Sequence, residues 1–544
     1  MRIVTIGWMF GIVWMTCIGG SRLNQFGRIL GFQDIHFGIL AAVPLIATFG
    51  QVIATVIIER TGLRKLQFMV AASIHRLLWI PIALIPFFLP LPEGAGSFRI
   101  AAWIALLLML VSWFMNAIAA PAWMNWMGDL IPRRIRGRYF ANRGIYTQLV
   151  QIPVVLLLGV VIGEATKMGA DGKALAMTAE NQTTLLYVLS GILVIGGLFG
   201  TIDILVFRRI REVRKTYYDK PAPPAIDVTV PEWARAGRMR HVRSVVTGGL
   251  IFDKVLLRPM GDRTFRMYVF YAGMMMFAMT VSGPFCMRHM LETLNLSVLA
   301  TEVIFMVIGP IIGILAAKPI GRLLDRWGRR PVLMLGSAGT CLSILPYFLS
   351  SPSTPNPEWV SAAVNAAAGG LGGLFNRNWM LLPEGAPVGA WLVMVPMVLF
   401  GTSGWQAVQM GQTNVILGFA DGHGRSKYMA AAAAWTSLGG IAGGLLGGFV
   451  AQELRWMQSD PLVFGPFLWN NWHVTFAMSF AARVSGLVLA GVMPDPGSGR
   501  VSMMVRDIGM NAMNFTVNRL FLPFRVIGWR NGQERSSRGN RRNR

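Results

Sequence analysis

The chain has 544 residues; hydrophobic residues make up 54%, charged residues only 14%, and the mean hydropathy is +0.51. Soluble proteins carry about 25% charged residues, so this composition excludes an ordinary soluble protein and predicts a polytopic membrane protein. A net charge of +25 would also suit a nucleic-acid-binding protein. The Lys and Arg residues, however, concentrate in alternate connections between apolar runs, a pattern that orients membrane helices. We therefore expect no nucleic-acid partner.

Apolar runs long enough to cross a bilayer as helices, about 20 residues each, occur twelve times. The predicted spans 1 to 12 are 3–21, 36–58, 67–91, 99–127, 145–165, 184–207, 264–287, 297–319, 331–350, 388–420, 428–451 and 473–493. Because the basic residues lie mainly in the even-numbered connections and the C-terminal tail, we expect both termini in the cytoplasm. The expected location is the inner (plasma) membrane. No signal-peptide cleavage pattern follows Gly19, so the first run is expected to remain as a helix.

A short charged pattern, acid-Arg-x-Gly-x-Arg, occurs after span 2 and again after span 8. Its residues are Glu59, Arg60, Gly62 and Arg64 in the first copy, and Gly321, Asp325, Arg326, Gly328, Arg329 and Arg330 in and around the second. The related segments Arg136-Gly-Arg-Tyr139 and Arg425-Ser-Lys-Tyr428 follow spans 4 and 10. These repeats predict two parallel six-helix halves, related by an axis along the membrane normal.

The repeat divides the chain into four parts. We predict an N-terminal half at 1–207, a basic cytoplasmic linker at 208–263, a C-terminal half at 264–493 and an amphipathic, basic cytoplasmic tail at 494–544. Charges recur too often in the tail for a thirteenth span, so we expect a helix at the membrane interface there. The three cysteines lie in separate spans without metal-like spacing, so no metal site is expected. We also expect no cofactor.

The chain resembles the major facilitator superfamily in its twelve spans and two halves. The segment Gly321–Arg330 is also close to that family's pattern Gly-x-x-x-Asp-Arg-x-Gly-Arg-Arg. The resemblance covers about 3–493 and implies an all-α integral membrane fold. The copy at 59–65 is degraded, with Glu59 in place of Asp. The resemblance implies that Asp325 and Glu59 clamp a cytoplasmic gate when the transporter is open outward. It also implies that spans 2 and 11, and spans 5 and 8, connect the halves, while spans 1, 4, 7 and 10 line a central cavity.

Small residues are repeated in the spans that would connect the halves. Span 11 carries two glycine stripes: Gly439, Gly443 and Gly447, and Gly440, Gly444 and Gly448. Glycines four residues apart also occur in span 5 (Gly159, Gly163) and span 8 (Gly309, Gly313). Such spacing lets helix backbones approach closely, which suits either sliding of the halves or static packing.

Polar side chains inside the spans are candidates for the substrate path. Thr402, Gln406, Gln409 and Thr413 share one face of span 10. The full set of cavity candidates is Asn116, Gln148, Gln151, Thr402, Trp405, Gln406, Gln409 and Thr413. For each amide the alternative is a structural hydrogen bond between helices, and for Trp405 it is packing.

Ionisable residues within the spans are candidates for coupling transport to a proton or another cation. These candidates are His75, Arg76, Glu302 and Arg483; structural pairing is the alternative for each. An anionic substrate is a further alternative for Arg76 and Arg483. Asp203 lies near the inner end of span 6 and is expected to snorkel toward water.

The predicted function is a monomeric secondary transporter, surrounded by membrane lipids, that moves a small polar solute by alternating access. One alternative is a protein of the same fold that serves as a receptor or an assembly factor. Another is a polytopic membrane enzyme, which would need carboxylates or histidines clustered at one membrane face. The six His residues are scattered, so we predict that the protein is not an enzyme.

Overall fold

The computed structural model describes most of the chain. The described residues are 2–61, 63–89, 100–130, 136–165, 179–210, 256–294, 296, 298–348, 350, 357–373, 396–419, 425–464, 467–495 and 498–520. Predictions for Gly62, for most of the linker and for the end of the tail lie outside these residues, as do the side chains of Glu59 and Arg60.

The described chain is almost entirely helical, because a chain within a bilayer must satisfy its backbone hydrogen bonds internally. The helices are Arg2–Ile18, Ser21–Ile29, Asp34–Ala47, Gly50–Thr61, Arg64–Leu77, Trp79–Phe88, Ile100–Leu130, Arg136–Ala165, Ala179–Phe207, Arg263–Arg288, Val298–Glu302, Gly309–Trp327, Arg329–Phe348, Glu358–Gly373, Thr402–Gly418, Arg425–Glu453, Asn471–Val492 and Val501–Leu520. The π-helical segments His289–Thr293, Val303–Ile308 and Met397–Gly401 extend three of them.

Helices occur at the positions of all twelve predicted spans. Within the described residues, nine are long and apolar enough to cross a membrane, and the bent pair Arg2–Ile18 and Ser21–Ile29 makes a tenth. Span 2 is divided into Asp34–Ala47 and Gly50–Thr61, and the described part of span 10 contains Thr402–Gly418. The all-α membrane fold is therefore confirmed.

The charged pattern at 321–330 is mostly helix rather than turn. Asp325 and Arg326 lie in the last turn of Gly309–Trp327, and the chain turns only at Gly328, whose φ is +87°. This backbone conformation is accessible to glycine at little cost, which explains why the helix ends there. The helix of span 8 is consequently about two turns longer than the apolar run predicts.

The two ends of the helix bundle are packed differently. We call the end that carries residues 59–61 and 321–330 the motif end, and the other the opposite end. At the opposite end one hydrophobic cluster contains residues from both halves, including Phe26, Phe37, Phe285 and Trp472. At the motif end each cluster belongs to one half: Phe68, Trp126 and Phe207 in the N-terminal half, and Phe265, Tyr268, Leu324 and Met504 in the C-terminal half. In the described residues the apolar core therefore joins the halves at the opposite end only.

The two glycine stripes of span 11 contact different partners. Gly444 and Gly448 face span 2, where a Cβ added to Gly38 would lie 2.4 Å from the Gly444 carbonyl oxygen and 2.5 Å from Gly448 Cα. Gly447, in the other stripe, faces span 7 of its own half, and a Cβ there would lie 2.3 Å from the Val281 carbonyl oxygen. One stripe thus joins the halves and the other builds the C-terminal half.

The glycines of spans 5 and 8 do not form a matching glycine contact. Gly159 of span 5 meets Leu299 of span 8, whereas a Cβ added to Gly163 would have nothing within 4 Å. Gly309 and Gly313 of span 8 instead approach Thr402 of span 10, within the C-terminal half.

Candidate substrate cavity and the two ends of the bundle

A cavity of about 470 Å³ lies between the two halves. The N-terminal half contributes Gln148 of span 5, and spans 8 and 10 form the rest of the wall. The lining residues are Gln148, Ile304, Phe305, Gly309, Pro310, Gly313, Ile314, Ala317, Met397, Thr402 and Gln406. None of these described residues is charged, so the cavity offers amide and hydroxyl groups within an apolar wall.

Two π-helical segments shape the wall on the side of the C-terminal half. Ile304 and Phe305 belong to the segment Val303–Ile308, and Met397 begins the segment Met397–Gly401. Thr402 follows the second segment directly. A π turn changes the direction in which the following side chains point and often occurs at functional sites. Hydrophobic periodicity gives no signal for such a turn, so the sequence did not indicate it.

The structure separates the predicted cavity residues into several groups. Gln148, Thr402 and Gln406 line the cavity. Gln409 and Thr413 follow on the same face of span 10, nearer the motif end, and are exposed. Gln151 donates a hydrogen bond to Met306 Sδ of the other half at 4.0 Å. Asn116 is half-buried and is not among the lining residues.

Trp405 does not line the described cavity. Its ring packs against the buried core of the C-terminal half. These surroundings agree with the alternative given above, in which Trp405 serves in packing. The helix turns Trp405 away from the face that carries Thr402 and Gln406, because adjacent positions are about 100° apart.

Three of the coupling candidates lie inside one half or the other. His75 Nδ1 is 2.7 Å from Ser112 Oγ, and Arg76 Nη2 is 3.5 Å from Asp203 Oδ2; both contacts are in the N-terminal half. Arg483 Nη1 donates to the Thr340 carbonyl oxygen at 2.8 Å in the C-terminal half. The expectation for Asp203 was wrong: it is only 2% exposed and pairs with Arg76 instead of reaching water.

Glu302, the fourth coupling candidate, joins the two halves at the opposite end. Its carboxylate accepts hydrogen bonds from the backbone N–H of Ser21, at 2.8 Å, and from the Ser21 hydroxyl. Arg22 Nη1 lies 3.0 Å from Glu302 Oε2, and both side chains are almost completely buried. The carboxylate also lies at the N-terminus of Ser21–Ile29, where the helix dipole favours negative charge. We call Ser21, Arg22 and Glu302 the Glu302 latch.

A second buried network joins the halves nearby. Asp34, at the start of span 2, pairs with Arg288 at the end of span 7. It also accepts hydrogen bonds from Asn471 Nδ2 at 3.2 Å and from Trp472 Nε1 at 3.5 Å. We call Asp34, Arg288, Asn471 and Trp472 the Asp34 latch. The sequence places these residues at span ends but contains no signal that pairs them.

The motif end shows a different arrangement, in which arginines of the second motif copy contact the C-terminal tail that follows their own half. Arg326 Nη1 pairs with Asp507 of the tail helix at 2.8 Å, and the backbone N–H of Arg330 donates to Asp495 at 3.1 Å. Asp325 is exposed and has no ion pair or hydrogen bond among the described residues. The acids Asp495 and Asp507, which hold the motif arginines, were missed because their tail was predicted to lie on the membrane.

These features define a membrane carrier: two helical halves meet at a cavity, and among the described residues the buried charged latches join them at one end of the bundle only. The family model of the Major Facilitator Superfamily matches residues 3–390. The chain belongs to this superfamily and is a secondary solute transporter. A search of curated proteins found no match.

Solved transporter structures share the fold at low sequence identity. A mutant form of the nucleoside transporter NupG aligns with a TM-score of 0.57 and 12% identity, covering 90% of this chain and 100% of NupG. The xylose transporter XylE from E. coli aligns with a TM-score of 0.52 and 13% identity, covering 93% of this chain and 98% of XylE. A bacterial homologue of the human lysosomal transporter Spinster aligns with a TM-score of 0.53 and 11% identity, covering 90% of this chain and 94% of the homologue.

Proposed function

We propose that this transporter moves a small, uncharged, polar solute across the inner membrane, with the cavity between the halves as its binding site. The observation that carries the proposal is the lining itself: Gln148, Thr402 and Gln406 supply hydrogen-bonding groups, and no described lining residue supplies a charge. A charged solute would enter a low-dielectric site without a counter-charge, which is costly. A hydroxylated neutral solute would find both donors and acceptors.

The solved relatives support this substrate class. NupG is a nucleoside transporter, and XylE is a xylose transporter. Nucleosides and xylose are uncharged molecules rich in hydroxyl groups, and the amide and hydroxyl groups of the present cavity suit such chemistry.

We further propose that the motif end faces the cytoplasm, since the basic residues concentrate on that side. The described conformation is then closed to the outside by the Glu302 and Asp34 latches and open to the cytoplasm. Asp325 and Glu59 would clamp the motif end in the alternate state. We also propose that the carrier acts as a monomer surrounded by membrane lipids. None of these roles involves catalysis, so we propose no enzymatic activity.

Ligand-induced thermal stabilisation of the purified protein tests the substrate class. A ligand at 100 times its Kd raises the free energy of unfolding by about 2.7 kcal/mol, enough for a clear increase in Tm. We expect nucleosides or neutral sugars to stabilise the protein, and charged analogues such as nucleotides or sugar phosphates to have no effect. Stabilisation by charged solutes alone would contradict the proposal. A failure of every neutral solute to stabilise the protein or enter proteoliposomes would instead favour a receptor or assembly factor.

A matched pair of variants on one helix tests the site. Gln406→Ala removes a cavity amide and should abolish stabilisation by the ligand. Gln412→Ala removes the same kind of side chain six residues further along span 10, at a position outside the lining residues, and should retain the stabilisation by the ligand. If both variants lost the stabilisation by the ligand equally, this cavity would not be the binding site.

A further inference from the structure

A buried charged cluster in the N-terminal half lies outside the cavity. Asp203 of span 6 is 2% exposed and Arg76 of span 3 is 7% exposed. Their closest charged atoms, Asp203 Oδ2 and Arg76 Nη2, are 3.5 Å apart. The Arg76 guanidinium also lies over the Trp14 ring of span 1, 3.4 Å from its centroid.

The Asp203–Arg76 pair is less well bonded than the pair in the Glu302 latch. Glu302 Oε2 and the Arg22 guanidinium also lack hydrogen-bond partners among the described residues, but Glu302 accepts two hydrogen bonds from Ser21, whereas Asp203 accepts a single long one, from Arg76. Asp203 Oδ1, Arg76 Nε and Trp14 Nε1 are buried and have no hydrogen-bond partner among the described residues. A buried ion pair offsets its desolvation cost only when the remaining donors and acceptors are also bonded. Asp203 thus retains an oxygen that can receive a proton, inside a membrane segment where a carboxylate usually marks a functional site.

Glycines provide the space that the carboxylate occupies. A Cβ added to Gly11 of span 1 would lie 2.6 Å from Asp203 Oδ2, and one added to Gly7 would lie 3.3 Å from Asp203 Oδ1. On span 6, a Cβ on Gly200 would lie 2.6 Å from Arg76 Cδ. Any larger residue at Gly11 or Gly200 would displace the pair, so spans 1 and 6 are shaped around it.

The cluster adjoins the helix that carries Gln148 into the cavity. Arg143, on this same helix of span 5, places its guanidinium 4.4 Å from the centroid of Trp8 and 5.1 Å from that of Trp123. The Trp8 ring lies beside Gly11, at the level of Asp203. Among the described residues, the charged and titratable groups near Asp203 include Arg76 and His75 on span 3 and Arg143 and Tyr139 on the helix of span 5. Span 1 contributes Gly7 and Gly11 to the space around the carboxylate.

We propose that Asp203 is the proton-binding carboxylate of this transporter, an inference that rests on the proposed transport function. A proton leaves hydronium and binds Asp203 Oδ1, which converts the carboxylate to a neutral carboxylic acid; no other bond forms or breaks. The Arg76 guanidinium then loses the negative charge with which it is paired, and the Arg143 guanidinium loses a nearby one. Because Arg143 is stacked between spans 1 and 4 on the helix of Gln148, this change in charge acts on the N-terminal wall of the cavity.

Infrared difference spectroscopy of the full-length protein in lipid nanodiscs tests the assignment, with protons as the only probe. As the pH is lowered across the physiological range, the wild type should show the carbonyl stretch of a carboxyl group that becomes protonated. Asp203→Asn should lose this band, while Glu302→Gln and Asp34→Asn, which alter the carboxylates of the two latches, should keep it. An unchanged band in Asp203→Asn, or its loss in either latch variant, would overturn the proposal.

If Asp203→Asn does not fold, the variant Asp203→Glu provides a second test of the assignment. This variant keeps the carboxyl group but changes its length, so the titrating band should remain and move in frequency. A band at the wild-type frequency would exclude Asp203 as its source. No solute enters either measurement, so a wrong substrate class would not change the result.

Discussion

Arg22 of the N-terminal half and Glu302 of the C-terminal half form an almost completely buried ion pair, 3.0 Å between Nη1 and Oε2, across the boundary between the halves. Both side chains would meet water if this end opened. Their pairing therefore stabilises one conformation of the transport cycle rather than the fold of either half. The Asp34 latch adds a second contact of the same kind.

We predict that Glu302→Gln opens the opposite end. The variant leaves Arg22 buried without its counter-charge, which costs about 3–5 kcal/mol in the closed state and little once that side chain reaches water. Spin labels at Tyr187 and Trp456, exposed positions in the two halves, should show a longer distance in the variant by pulsed electron resonance.

The double variant Arg22→Gln/Glu302→Gln is the control for this prediction. It removes both charges, so no unpaired charge remains to destabilise the closed state, and the distance should return toward that of the wild type. A double variant as open as the single one would show that the ion pair itself is not the cause.

Glycine substitutions in span 11 should separate movement of the halves from stability of the fold. Gly448→Ala places a methyl group 2.8 Å from Gly38 Cα of the other half, whereas Gly447→Ala places one 2.3 Å from the Val281 carbonyl within its own half. Overpacking costs about 1–3 kcal/mol. We expect Gly448→Ala to shift the label distance with little change in Tm, and Gly447→Ala to lower Tm. The same response in both variants would contradict separate roles for the two stripes.

The tail helix should depend on one buried methionine more than on its ion pair. Met504 is fully buried against the motif end, while the Arg326 side chain, paired with Asp507, is 64% exposed. An exposed ion pair contributes about 0–1 kcal/mol, whereas loss of a buried methionine costs about 2–5 kcal/mol. Met504→Asp should therefore release residues 501–510 to rapid hydrogen exchange, and Asp507→Asn should leave them protected. Rapid exchange in Asp507→Asn would show that the ion pair, not the apolar contact, holds the helix.

The order of the spans and the polar face of span 10 were predictable, because length and hydropathy decide membrane crossing and helical periodicity places Thr402 and Gln406 together. The latches were not predictable: Arg22 and Glu302 are distant in sequence, and their pairing depends on how two folded halves meet. Trp405 packs against the core of the C-terminal half, and the sequence left this alternative open because a tryptophan beside a cavity face looks the same in sequence as one in the core. Asp203 was misassigned because its position near a helix end suggested access to water, while Arg76 and the glycines of span 1 enclose it.

The last prediction concerns Asp325, which is exposed and has no described partner in this conformation. A substitution that removes no contact changes stability by no more than about 0.5 kcal/mol, so Asp325→Asn should leave the Tm of the described state unchanged. If Asp325 clamps the motif end in the alternate state, the variant should lose that state and slow uptake into proteoliposomes. Asp262→Asn provides a comparison. The Asp262 carboxylate caps the helix of span 7 by accepting a hydrogen bond from the backbone N–H of Thr264, so weakening this cap should lower Tm. A variant of Asp325 that lowers Tm but transports at the wild-type rate would show that the acid supports the fold and does not act in the gate.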